Sequence, residues 1–147
     1  MAIDDYEKPE FQKPWFEKQR RKLLDYLKLE NVRHGGVREE PDWFLAPCFA
    51  IWPVKSAEEP EKFGWWAITG DIPFDYISSE GVRNARAAMY EFAHAWFDLS
   101  KMMIRGESHP EIQISQTEQS TRLGRLLLER AELLHEIASA DENWEIT

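Results

Sequence analysis

Apolar residues recur at helical spacing in three stretches of this chain, and at strand-like density in one stretch between them. The first helical pattern predicts a helix over 15–29, with Phe16, Leu23 and Leu27, and Leu24 beside them, on one face. Pro14 suits the first helical position, where its missing N–H costs nothing, and Asn31 followed by Gly35 and Gly36 ends the helix. The second is unusually regular. Val82, Ala85, Met89, Phe92, Trp96, Leu99 and Met103 alternate spacings of three and four, with Ser78 or Ser79 as N-cap and Gly106 as terminator. The third predicts a helix over 116–140, with Leu123, Leu127, Ala131, Leu134 and Ala138 on one face. Residues 111–115 read as loop or a very short strand.

Residues 43–54 and 63–69 are rich in aromatic and β-branched side chains, and the segment between them is polar with Pro60. They predict antiparallel strands joined by a long turn, with Pro47 and Pro53 at an edge, a bulge or a strand end. The expected architecture is α+β: an N-terminal helix, a small antiparallel strand pair or short meander, and a C-terminal antiparallel hairpin of two long helices. Residues 1–12 mix charges with Pro9 and read as a mobile arm from which Tyr6 or Phe11 docks; residues 13–147 read as a single domain. A tight connection between residues 105 and 115 sets Trp96 opposite Gly124, a helical glycine that makes room for the indole.

Composition narrows the function classes. The chain has 147 residues, 43% hydrophobic and 13% aromatic, which excludes a disordered polymer. A single cysteine excludes a disulfide scaffold or a cysteine-built zinc ribbon. Cys48, between Pro47 and Phe49, is expected in the core. A net charge of −9 argues against a dedicated nucleic-acid binder. The acidic N-terminus lacks the apolar run of a signal peptide, and 44–54 is too short to span a bilayer, so a cytoplasmic location and no membrane association are expected. Charge is unevenly placed. Residues 13–38 carry eight Lys/Arg and three Asp/Glu, a net +5 that leaves −14 for the remainder. That segment reads as a helix lying against or near the acidic remainder, with an anion or nucleic-acid contact as the other reading.

Two E-x-x-H motifs, Glu91/His94 and Glu132/His135, have the spacing by which di-iron bundles supply ligands, and Asp98 extends the first. In the register above His94 stands level with residue 126, and His135 lies about 13 Å further along the axis. No metal and no cofactor are therefore expected. No Ser-His-Asp pattern, P-loop or dinucleotide fingerprint is present, so no catalytic residue is assigned.

The densest stretch is 64–77. It joins a strand to a helix through Gly70 and Pro73, and it holds Asp71 and Asp75 four residues apart. These carboxylates suit a cation or an acid/base pair, or an Asx-turn and a cap. Trp65, Trp66, Asp71, Asp75 and Tyr76 are the candidate binding residues. The run Trp66-x-Ile68-Thr69-Gly70-Asp71-Ile72-Pro73-x-Asp75-Tyr76-Ile77 resembles the hallmark of a small bacterial family catalogued as a domain of unknown function. The likeness extends from the first helix, through Leu45-Ala46-Pro47 and the strands, into the helix that holds Ala85 and Trp96. It implies a compact single-domain cytoplasmic protein and brings no activity. The function expected is a small acidic interaction protein without catalysis, whose partner is another protein and for which a homodimer is compatible. Toxin-neutralising immunity proteins offer one concrete version by general analogy. The alternative is a small cation-dependent enzyme using Asp71 and Asp75.

Overall fold

The computed structural model describes residues 6–105 and 118–144. The fold is α+β, with three α-helices and one four-stranded antiparallel sheet among the described residues. The chain divides into two compact units, Met1–Ala88 and Met89–Thr147.

The first unit opens with α1 (Pro9–Leu29), which starts earlier than the pattern predicts. Pro9, not Pro14, takes the first-turn position, and Pro14 lies inside the helix. Pro14 forgoes one bond to the Glu10 carbonyl in an exposed first turn, where water can replace it. Residues 9–12, read from the sequence as part of an arm, are thus helical. Tyr6 does dock: its ring meets Trp15 edge-on at 6.5 Å, and Gln12 Nε2 donates to its carbonyl. Residues 1–5 of the expected arm lie outside the described residues. Asn31 ends the helix as expected, in a left-handed conformation (φ 57°), while the Val32 N–H reaches back to the Leu27 carbonyl.

Four strands follow in chain order: β1 (Trp43–Leu45), β2 (Phe49–Lys55), β3 (Phe63–Gly70) and β4 (Asp75–Ser78). The apolar run 43–54 is two strands, because a turn at 46–48 containing a cis Ala46-Pro47 bond folds it back on itself. Pro53 lies in β2 beyond the stretch that β1 covers, pairs with Trp66 on the other side, and precedes a register shift between Val54 and Lys55, which agrees with its expected place at an edge or bulge. Cys48 is exposed on the turn, which corrects its expected place in the core. Its position in the turn, with its N–H bonded to the Leu45 carbonyl, sets it outside the strands that bury their neighbours.

Along β2 and β3 the side chains alternate between faces. Ala50, Trp52, Val54 and Ala67 join Trp15, Phe16, Leu23 and Leu27 of α1 in one core. Leu23 and Leu27 are fully buried there, worth about 1.5–3 kcal/mol each. Phe49, Ile51 and Ile68, on the other face, are also fully buried. At the end of β3, Gly70 has φ 134°, and a Cβ there would collide with the Cys48 carbonyl oxygen. Only glycine permits that approach, which brings the Asp71 N–H to the same carbonyl at 2.8 Å.

α2 (Ala85–Arg105) starts later than the pattern suggests. Asn84 caps it, its side-chain oxygen accepting from the Ala87 N–H at 2.8 Å, whereas Ser79 Oγ donates to the Phe63 carbonyl. In the second unit α2 runs antiparallel to α3 (Glu118–Ser139): Tyr90 meets Ser139, and Gly124 lies against Met103 and Ile104. Trp96 is buried, as its stripe requires, but it does not face Gly124. The hairpin is displaced by about two turns from the expected register. A tight 105–115 connection was the basis for that register, and residues 106–117, with the expected Gly106 terminator and the 111–115 segment, lie outside the described residues. A Cβ on Gly124 would stand 2.9 Å from Met103 Cβ and 3.1 Å from the Ile104 nitrogen. The glycine therefore serves close approach of the two backbones rather than space for an indole. No helix among the described residues is long and apolar enough to cross a membrane.

Candidate functional site

β4 was not anticipated as a strand, and it rearranges the candidate residues. It pairs Trp65 with Ser78, Trp66 with Ile77, and Ala67 with Tyr76. Trp65 and Trp66 are consecutive, so they point to opposite faces of the sheet. Trp66 is buried and its indole N–H donates to the Val82 carbonyl at 3.0 Å. It is a packing residue. Trp65 is half-buried, donates to the Arg33 carbonyl at 3.2 Å, and meets the Tyr76 ring edge-on at 5.7 Å.

Tyr76 and Trp65 belong to a larger aromatic group. Tyr26 of α1 meets Tyr76 at 6.1 Å and Phe74 at 5.7 Å, both edge-on. All four rings are partly exposed. Sequence reasoning missed Tyr26 and Phe74. The signal for Tyr26 was its place beside Leu23 and Leu27 on the inner face of α1; nothing local marks Phe74. Burial, then the Asp75 carboxylate, then Glu30 push the Tyr26 phenol above its ordinary pKa, and a hydrogen bond to Glu30 adds to the effect.

The two carboxylates differ. Asp75 Oδ1 accepts the Tyr76 N–H at 2.8 Å, so it fixes the start of β4. Asp71 is exposed, and its carboxylate makes no hydrogen bond or ion pair among the described residues. Its backbone is nevertheless held, through Gly70 and the Cys48 carbonyl. Asp71 thus presents an exposed carboxylate from a held backbone.

Two open grooves lie elsewhere in the first unit. One, of about 550 Å³, is lined by Lys13, Phe16, Glu17, Arg20 and Arg21 of α1 with Glu39 and Glu40. The other, of about 450 Å³, is lined by residues 38–42. Neither includes Asp71 or Asp75. Arg20 donates from Nε to the Val37 and Arg38 carbonyls, which pins the 37–38 loop to α1. Arg33 and Arg38 pair with Glu58 and Asp42. Lys18, Arg21, Lys22 and Lys28 are exposed, with no ion pair among the described residues.

A family model described as a domain of unknown function, DUF4826, matches residues 9–144. The chain belongs to this family. No curated protein and no solved structure matches it. Family membership thus leaves the function unknown, and a functional reading has to come from the residues themselves. The match begins at Pro9, where α1 begins, and reaches Trp144, whose indole N–H donates to the Ile137 carbonyl at 3.1 Å beyond the end of α3.

Proposed function

We propose that the protein is a non-catalytic binding protein that recognises another protein through the 71–74 turn and the adjoining Trp65, Phe74, Tyr76 and Tyr26 rings. One observation carries this reading. The Asp71 carboxylate is exposed and uncommitted, yet its backbone is fixed by Gly70 and the Cys48 carbonyl. A charge presented on a rigid turn loses little freedom when it is bound. From Phe74 at the far end of the turn, the partly exposed rings of Tyr26, Tyr76 and Trp65 continue the surface and supply contact area of the kind that interfaces favour. Among the described residues β4 stands at the end of the sheet order, so its outer backbone edge adjoins these side chains. An acidic turn of this kind fits a basic patch on its partner, in the cytoplasm, and neutralisation of a toxin is one concrete version of the role.

A cation-dependent enzyme would require Asp71 and Asp75 to converge in one concave site. Asp75 is tied to the Tyr76 N–H, which speaks against that use. Photo-crosslinking in the native cell tests the binding role. A crosslinking amino acid at position 71 should give one discrete adduct, and the same residue at position 18 on the outer face of α1 should give none. An adduct from position 18 alone would move the contact surface to α1 and overturn the proposal.

A further inference from the structure

The two E-x-x-H motifs play no part in that surface, and the register that separated them does not exist. His94 of α2 and His135 of α3 are neighbours across the two helices, with ring centroids 6.2 Å apart and planes at 79°. Both side chains are exposed. Tyr90 and Phe97 of α2 meet the His135 ring edge-on, at 5.7 and 6.1 Å, and so bracket it. Ser139 Oγ lies 3.5 Å from His135 Nδ1, and Tyr90 donates to the same oxygen at 3.4 Å. A partner at Nδ1 leaves Nε2 to face a ligand.

We propose that His94 and His135 form a cross-helix clip for a divalent transition-metal ion of the Zn²⁺, Ni²⁺ or Cu²⁺ class. A metal about 2.1 Å from an imidazole nitrogen stands about 3.2 Å from that ring's centroid. Two rings sharing it therefore sit about 5 Å apart at a tetrahedral angle and about 6.4 Å apart at a linear one. The observed 6.2 Å falls within that window, near its wide-angle end, and the two side chains are exposed and able to turn their nitrogens toward one ion. Neutral imidazole prefers these ions, whereas Mg²⁺ and Ca²⁺ prefer oxygen. Among the described residues no group of three His, Cys, Asp or Glu encloses a metal. The clip is accordingly open, with water in the other positions and exchange with solvent. Glu91 and Glu132, exposed three residues before each histidine, add negative charge nearby.

Titration calorimetry on the full chain, with any affinity tag removed, tests this. Cu²⁺ or Ni²⁺ should bind at one ion per chain near neutral pH, and Mg²⁺ should not bind. His94→Ala and His135→Ala should each weaken binding at least about tenfold while leaving the circular dichroism spectrum unchanged. His34→Ala should bind as the parent does. Sedimentation should show that the loaded chain keeps its metal-free mass. The proposal fails if no saturable site appears below about 1 mM, if either variant binds like the parent, or if metal doubles the mass.

Discussion

Trp52 and Thr69 join β2 to β3 through a side-chain hydrogen bond, the indole N–H donating to the hydroxyl oxygen at 3.0 Å with both residues fully buried. The bond settles the only polar atom of a large side chain inside an apolar layer. Thr69→Val keeps the shape and removes the acceptor. It should destabilise the protein by about 1–3 kcal/mol, the cost of a buried unsatisfied donor, measured by urea unfolding. Adding Trp52→Phe should cost less than the sum of the two single changes, because the orphaned N–H goes with the indole.

Asp71 and Asp75 should separate in the same experiment. Asp71→Ala removes a side chain with no partner among the described residues and should change stability by no more than about 0.5 kcal/mol. Asp75→Ala removes the acceptor for the Tyr76 N–H and should cost about 0.5–2 kcal/mol. Equal effects would remove the distinction drawn between them.

Gly124→Ala sets two terms in opposition. Alanine improves helix propensity by about 1 kcal/mol. Its Cβ would stand 2.9 Å from Met103 Cβ and close to the Ile104 backbone, neither of which is a yielding side-chain end. Overpacking should win, with a net loss of stability, and Gly124→Leu should cost more, on the order of 1–3 kcal/mol or above. A thermal midpoint that rises in the alanine variant would place Gly124 away from α2.

The Tyr26 phenol gives a pH signature. Its pKa is raised in the folded state above the ordinary value of 10.0, so the unfolded chain loses this proton first. The corresponding stability is complete below pH 10 and is lost as pH rises through the folded value. Thermal midpoints measured upward from pH 9 should fall less steeply for Tyr26→Phe than for the parent chain. Parallel curves would mean that the phenol's surroundings do not favour its neutral form.

Periodicity carried much of this fold. The inner stripe of α1 and the buried faces of α2 and α3 are legible because burial repeats with the helix. Trp96, Leu127, Ala131, Leu134 and Ala138 lie where spacing sets them, whereas Leu123, expected on the same face, is exposed and its neighbour Gly124 is buried instead. Relations between elements were not legible. The pairing of Gly124 with Met103 and Ile104 depends on how closely two backbones approach, which no single-helix pattern encodes. β4 escaped notice because Asp75-Tyr76-Ile77-Ser78 is short and follows a turn signal at Gly70 and Pro73. Asn84, not Ser78 or Ser79, caps α2, because the helix begins only at Ala85, after β4 and the turn that follows it. At the candidate surface, sequence located Asp71, Asp75, Trp65 and Tyr76. It could not show that Trp66 turns inward or that Tyr26 arrives from α1, since both depend on the strand register and on the helix that covers it.

The sheet order has a kinetic consequence. Because β1, β2, β3 and β4 are neighbours in the order in which they are synthesised, each of the three ladders between these strands is a hairpin closed by a local loop, at 46–48, 56–62 and 71–74. No strand waits for a distant partner, so the entropy lost in closing each loop is small and is repaid at once by pairing. The sheet can zip forward from any of its turns, with α1 settling on the face that forms. Such a topology places the first unit among rapid folders for its strand content, and it keeps the time that β2 and β3 stand open to another chain short.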